Sequence, residues 1–388
     1  MHFIKPFFIA SLLFAVANIN AGSAVTTSFD FYGHPININY DQQILNLNLG
    51  RLDQSEISSN LKLLRNSNLT NSVFNLNRNI KHFNLDDISV ILLIEKFANK
   101  VTKYKTKNER NFVKYLILKE LGFDVLLTRT ENENLNCLGN LSFTPSRYIY
   151  INYANKVYKD LDFKNRTNYK KHLILTDPKR TFRSINRNVF KVPKVDAKLK
   201  FKHINFKFKG AIHEVEAVSN ESLTDYLADL PMFEVGKDFI DFSISSELNT
   251  SVISYLKNEV EVMSKVDATK FLLAFVQQVS SYGSDYVKYG EERFYYPEET
   301  IMAANADCED KAMLLAYLTK HLINVKTVAL YFENDEHLSL AINLPDYSLA
   351  SSFRYKGNTF IPCEPTAKYP HLGQSQFALK RVTEVIEF

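Results

Sequence analysis

The 388-residue chain has no tryptophan and only three cysteines, Cys137, Cys308 and Cys363. Aromatic packing therefore rests on 29 phenylalanines and 21 tyrosines. An odd cysteine count excludes a fully paired disulfide framework, so at least one thiol is free. Long apolar runs are also scarce. Beyond the first two dozen residues no stretch is long and apolar enough for a membrane-crossing helix, which excludes a multi-span membrane protein.

The first 24 residues are the one exception to that scarcity. His2 and Lys5 give a polar start, Pro6 to Ile19 is apolar, and small residues from Ala21 to Ala24 offer a cleavage site. The pattern is that of an export signal, with a retained anchor helix as the alternative. The expectation is an exported protein, periplasmic or extracellular, with no membrane span after cleavage.

The remaining composition is globular, 45% apolar and 23% charged. Charge is divided unevenly. Residues 1–210 carry 33 Lys and Arg against 16 Asp and Glu, and residues 211–388 carry 14 against 27, which together give the net +4. A basic first half would suit an anionic cell-surface polymer; attraction between the two halves accounts for it equally.

Along the chain, residues 25–155 read as a mixed α/β unit. Helical spacing in "DDISVILLIEKFANK" and "NERNFVKYLILKELGF" is followed by a stop at Gly122, then by strand-like "DVLLTRT" and "RYIYINY". Residues 156–195 are rich in Lys and Arg and read as a basic linker. A β-rich segment, 196–250, begins with "KLKFKHINFKFKG", whose alternation slips phase at His203 and predicts a bulge or bend. Its lysines fall opposite the apolar face, so a solvated sheet is expected and no nucleic acid. From 251 onward helices return, among them one opened by Ser264 and Asp267 spaced as a capping box.

A loose echo links "LKELGFDVLLTRTENENL" to "TKHLINVKTVALYFENDEHL". If it is more than chance, the first unit copies the last, with Asn111 and Phe112 at the helix start where the last has a cysteine.

The chemistry gathers in "ANADCEDKAMLLAYL", residues 304–318. Asp307 suits a helix N-cap, and Cys308 falls in the first turn, where unpaired N–H groups and the helix dipole favour a thiolate. The same N–H groups suit an oxyanion. His337 opens a strand after the polar turn "ENDE", and Glu364 ends another strand in "TFIPCEPTA". Cysteine, histidine and carboxylate in that order form a nucleophile, base and orienter set.

With these residues in place, "YGSDYVKYGEERFYYPEETIMAANADCEDKAMLLAYL", "EHLSLAI" and "CEPT" resemble the transglutaminase-like superfamily. More narrowly they resemble the exported bacterial transglutaminase-like cysteine peptidases. The resemblance covers roughly residues 265 to 375. It implies an α+β fold ending in a papain-like, transglutaminase-like domain (251–388), with the cysteine helix packed on an antiparallel sheet. It implies a Cys308–His337–Glu364 triad acting on a peptide or protein substrate, with no cofactor. Three departures stand out: Glu336 where the family has Gly before the histidine, Glu364 where it more often has Asp, and no Trp to help an oxyanion. Gln277 and Gln278 are the side chains that could replace that Trp. Asp307, Glu309 and Asp310 read as dipole and cap partners, not as metal ligands. A Cys137–Cys363 disulfide would leave Cys308 free. Tyr282, Tyr295 and His371 belong either to the cleft or to the core. Two other readings remain, an inactive binding or assembly module and a polymer-binding surface protein.

Overall fold

The computed structural model of the protein describes residues 24–65, 69–143, 150–163, 171–176, 182–186, 193, 195–232, 240–242, 244–284, 293–367 and 371–388. The expected export signal lies outside these residues, apart from Ala24. Among the described residues no helix is long and apolar enough to cross a membrane.

The fold is α+β with antiparallel sheets. A hairpin of β1 (Ala24–Phe31) and β2 (His34–Asp41) leads into α1 (Gln54–Arg65) and α2 (Leu69–His82). Helices α3 (Asp87–Val101) and α4 (Lys107–Glu120) pack on each other. Asp86 caps α3 by accepting from the Ser89 N–H, and Thr106 with Glu109 forms a capping box on α4. Gly122 ends α4 as expected, at φ +87°, with the Phe123 N–H donating to the Leu118 carbonyl at 3.1 Å.

Five strands follow: β3 (Val125–Thr130), β4 (Leu135–Asn140), β5 (Tyr150–Tyr153), β6 (Lys156–Asp160) and β7 (His172–Ile174). They form one sheet in the order β5-β6-β4-β3-β7. The first unit therefore continues past residue 155. Two of its strands lie in the segment expected to be a basic linker, because strands of five and three residues set among many Lys and Arg look like a charged connector in sequence.

A second hairpin pairs β8 (Leu199–Phe208) with β9 (Ala211–Asn220). Its ladder is regular from Leu199↔Asn220 to Phe208↔Ala211, so the bulge expected at His203 is absent. The apparent phase slip has another cause. Leu199 and Phe201 are exposed, whereas Lys202 shares the inward side with Ile204 and Phe206. Its ammonium donates to the carbonyls of Val279 at 2.7 Å, Ile301 at 2.7 Å and Ala303 at 2.6 Å. An inward lysine thus occupies a core-facing register position, and periodicity alone assigns it to solvent.

After α5 (Glu221–Asp229), helices α6 (Ser254–Glu261) and α7 (Lys265–Val279) lead to short β10 (Ser281–Tyr282). Ser264 caps α7 by accepting from the Asp267 N–H at 3.1 Å, while the Asp267 carboxylate is taken by Lys209. Then come α8 (Pro297–Met302), β11 (Asn305–Ala306) and α9 (Cys308–Ile323). α9 is buried almost all round from Asp310 to Thr319, the mark of a central helix. It packs on α7 and on β13 (His337–Asn343), whose hairpin partner is β12 (Thr327–Phe332). With β14 (Phe353–Tyr355), β15 (Asn358–Cys363) and β16 (Glu384–Glu387), these strands form a sheet ordered β14-β15-β13-β12-β16.

Replacing each strand of that sheet by its counterpart in chain order, β12 by β3 through β16 by β7, reproduces the order of the first sheet. All strand pairings within both are antiparallel. One topology therefore occurs twice, each time after a helix that packs on an earlier one.

All three cysteines are free and buried. Cys137 lies in β4 and Cys363 in β15, in different sheets, so the disulfide considered between them is absent.

Candidate active site

Three elements carry the candidate side chains: His337 and Glu364 are bonded directly, whereas the Cys308 thiol is bonded to Glu309 and, among the described residues, makes no hydrogen bond to the His337 ring. Asp307 adopts extended backbone and caps α9 as expected, and Asp310 returns the bond, which completes a capping box with Asp as its third-position acid. Asp310 also accepts from the Tyr295 N–H at 2.7 Å, which ties the head of α9 to the segment before α8. Cys308 is the first residue of the helix and is buried.

The Cys308 thiol donates to Glu309 Oε2 at 2.9 Å, and the sulfur accepts from the backbone N–H of Leu338. The sulfur therefore lies against the start of β13, one residue from His337. Helix position alone predicts a depressed thiol. The opposite holds: burial pushes the Cys308 thiol up, and the Glu309 carboxylate, both as a charge and as the acceptor of the S–H, pushes it further. The Leu338 N–H acts in the other direction but is outweighed. The resting sulfur is a neutral thiol.

After burial, Glu309 is the largest influence on the charge state of the sulfur. Glu309→Gln removes the negative charge and replaces a pure acceptor with a group that can donate to the thiolate. The thiol should titrate lower, and alkylation of Cys308 by iodoacetamide at pH 8 should speed up by about tenfold or more, one unit of pKa being about 1.4 kcal/mol. An unchanged alkylation rate would show that burial alone governs the thiol.

His337 opens β13 with its ring packed edge-on to Phe377, at 5.3 Å between centroids. Its Nε2 meets Glu364 Oε2 at 3.0 Å, and both side chains are buried. With Nε2–H donated to the carboxylate, Nδ1 carries the lone pair and is the basic nitrogen. Burial on its own would raise the Glu364 carboxyl. The hydrogen bond and charge of His337, followed by the hydrogen bonds from Thr366, outweigh it and hold the carboxyl below its ordinary value. Thr366 contributes both its hydroxyl and its N–H to Glu364 Oε1.

Glu336, which precedes the histidine, closes the β12–β13 turn in the left-handed region at φ 45°, ψ 47°. That conformation favours glycine, which gives a physical reason for the glycine that resembling sequences carry there. Glu336→Gly should raise stability by about 0.5–1 kcal/mol in urea unfolding, the relief of strain exceeding the added entropy of the unfolded chain. A loss of stability would mean that the glutamate side chain contributes more than its backbone costs.

The two glutamines proposed as oxyanion helpers separate. Gln277 Nε2 donates to the Glu364 carbonyl at 2.9 Å, so it holds the strand end that carries the carboxylate. Gln278 is bound to the backbone of Lys207 on β8 through both its oxygen and its nitrogen. Tyr282 is 62% exposed and lines a cavity of about 300 Å³ with Glu336, His337, Thr366, Gln376 and Phe377. Tyr295 is buried and His371 is not part of that lining. Lys311, one turn after Cys308, is a residue that sequence reasoning missed. It is buried, and its ammonium donates to the carbonyls of Gln277 at 3.2 Å and Ser280 at 2.8 Å. An inward-facing lysine four residues into a helix carries no sequence signal beyond its place in an otherwise apolar run.

At the matching place in the first unit the chemistry is different. Helix α4 begins at Lys107, so Asn111 and Phe112 lie a turn inside it and not at its start. Asn108 Oδ1 accepts from the Leu135 N–H at 2.8 Å, the role that Cys308 Sγ has toward Leu338. Lys107 pairs with Asp162 at 2.7 Å. No thiol or imidazole is present at this position.

No family model, no curated protein and no solved structure matches the chain. The functional reading therefore rests on the residues and their geometry.

Proposed function

We propose that the protein is a thiol-dependent enzyme that acts on peptide or amide bonds through Cys308, His337 and Glu364, in a papain-like, transglutaminase-like C-terminal domain. The observation that supports this most is the buried His337–Glu364 pair, one residue along β13 from the N–H that acts on the Cys308 sulfur. The sulfur rests on the N–H next to His337, and His337 is bonded to a buried carboxylate whose other oxygen is taken by Thr366.

In this reading the resting sulfur is a neutral thiol. His337 Nδ1 takes the proton as Sγ attacks the carbonyl carbon, and Glu364 stabilises the imidazolium that forms. The oxyanion is received by N–H groups at the head of α9, the backbone N–H of Cys308 first among them. The imidazolium returns its proton to the departing amine, which leaves a thioester on Cys308. Water, activated by the same imidazole, then releases the acid. A second amine in place of water would complete a transamidation. Hydrolysis is favoured because the cavity beside His337 opens to solvent at Tyr282. The export reading of the first 24 residues places the substrate in the periplasm or outside the cell.

The raised thiol and the strained Glu336 support a second reading, an inactive module of the same fold that binds without turning over. One experiment separates the two. The full chain is incubated with a mixture of blocked peptides, with and without an added primary amine, and the products are identified by mass spectrometry. The enzyme reading predicts new carboxyl termini that are absent with Cys308→Ala, and few amine adducts. Identical product profiles from both proteins would favour the binding module.

A further inference from the structure

A second cavity, of about 430 Å³, lies beside the one at His337 and shares Tyr282 and Thr366 with it. Its wall also includes Gln277, Ser280 and Lys311, and among the described residues no acidic side chain lines it. Lys311 is 1% exposed and donates to two carbonyls at the C-terminal end of α7. An ammonium has three N–H groups, so these two bonds leave one donor uncommitted. Ser280 Oγ is buried and has no hydrogen-bond partner among the described residues. A buried hydroxyl in that state costs about 1–3 kcal/mol unless something fills the site.

The charged side chains bonded to carbonyls at this end of α7 are both lysines, while Asp335 and Glu336 line the adjoining cavity at His337. Lys202 approaches the same helix end from β8 and is bonded only to neutral carbonyls, and neither it nor Lys311 forms an ion pair among the described residues. The acid beside Lys311 in the chain is Asp310, whose oxygens accept from the N–H groups of Tyr295 and Asp307. One buried and one half-buried lysine, both held by carbonyl dipoles, leave a positive potential next to the cavity.

We propose that this cavity is a subsite for an acidic side chain of the peptide substrate, whose carboxylate is bound by the third N–H of Lys311 and by Ser280 Oγ. This rests on the reading of Cys308, His337 and Glu364 as a peptide-processing site. The subsite borders the cavity at His337 through Tyr282 and Thr366, and an extended chain advances about 3.3 Å per residue, so the acidic residue sits within a few positions of the one beside His337. Carboxylate recognition by a buried ammonium discriminates strongly against the neutral amide, because glutamine leaves the ammonium donor without a charged acceptor.

The test uses the full chain carrying Cys308→Ala and a library of acetylated, amidated hexapeptides with Glu, Gln or Ala at each position. Bound peptides are quantified by mass spectrometry. At one position Glu should be enriched over Gln by about tenfold or more at low ionic strength, and less at high salt. Asn205→Asp, at an exposed site on the cavity wall, should cut that ratio about threefold or more by repulsion with an unchanged thermal midpoint, and Ser280→Ala should cut it similarly with a midpoint that is not lowered. No Glu preference at any position, or a preference untouched by both substitutions, overturns the subsite. Cleavage of these peptides by the native chain without an acid preference would sink the subsite alone. An acid preference in binding, with no cleavage by the native chain, would sink the enzyme reading and leave the subsite standing.

Discussion

His337→Ala should lower turnover of any cleaved peptide by about 10³-fold or more while leaving KM within a few-fold, because the imidazole acts when the proton moves and not when substrate binds. The neutral thiol makes this dependence steep. A preformed thiolate could attack without a base, but the Cys308 thiol is buried and donates to Glu309, so the proton has to be removed as the bond forms. Glu364→Gln should cost about 10²-fold or more in kcat, since an amide can hold the ring but cannot stabilise an imidazolium. Cys308→Ala should abolish product. The losses should not add: with Cys308 already removed, His337→Ala has nothing further to take away. Initial-rate kinetics on the native protein, the three single variants and the Cys308→Ala/His337→Ala double variant checks this. Equal kcat in His337→Ala and native protein would remove the imidazole from the mechanism.

The second large effect is on stability. Glu364 is 1% exposed, bonded to His337 Nε2 at 3.0 Å and to Thr366. Glu364→Ala leaves a buried imidazole and a hydroxyl without their acceptor, which should cost about 3–5 kcal/mol in urea unfolding at pH 7. Glu364→Gln should cost less, as it preserves volume. The pH dependence has a definite sign. The folded carboxyl titrates below its unfolded value of about 4.3, so its contribution is complete above that value and is lost as pH falls through the lower folded one. The gap in stability between native protein and Glu364→Gln should therefore close between about pH 4 and the acid end of folding. A gap that widened on acidification would mean the carboxyl is raised in the fold, with desolvation stronger than its hydrogen bonds.

Much of the local architecture around the site is legible from residue types alone. Asp307 before Cys308, Ser264 before α7 and Gly122 after α4 each satisfy helix-end groups by rules that need no tertiary information. The turn "ENDE" and the strands on either side are read in the same way. What sequence does not disclose is burial. Lys202 and Lys311 look like surface lysines, yet both have ammonium groups turned inward onto carbonyls. The dipole argument for Cys308 is sound in isolation and is reversed by desolvation and by the neighbouring Glu309. The short strands β6 and β7 hide in a charged stretch, and with them the second appearance of the same sheet order. The sequence echo around β3 and β12 is a trace of it, too weak to separate from chance without the strand order.

The most direct test of the coupled site needs no substrate. Alkylation of Cys308 by iodoacetamide is followed from pH 5 to 10 in native protein and in His337→Gln. A thiol that yields its proton to His337 predicts a native rate that climbs through the imidazole range, and a variant at least about tenfold slower at pH 7 with that climb removed. Superimposable profiles would mean that the sulfur and the ring do not communicate, and the proposed chemistry at Cys308 would fall with them.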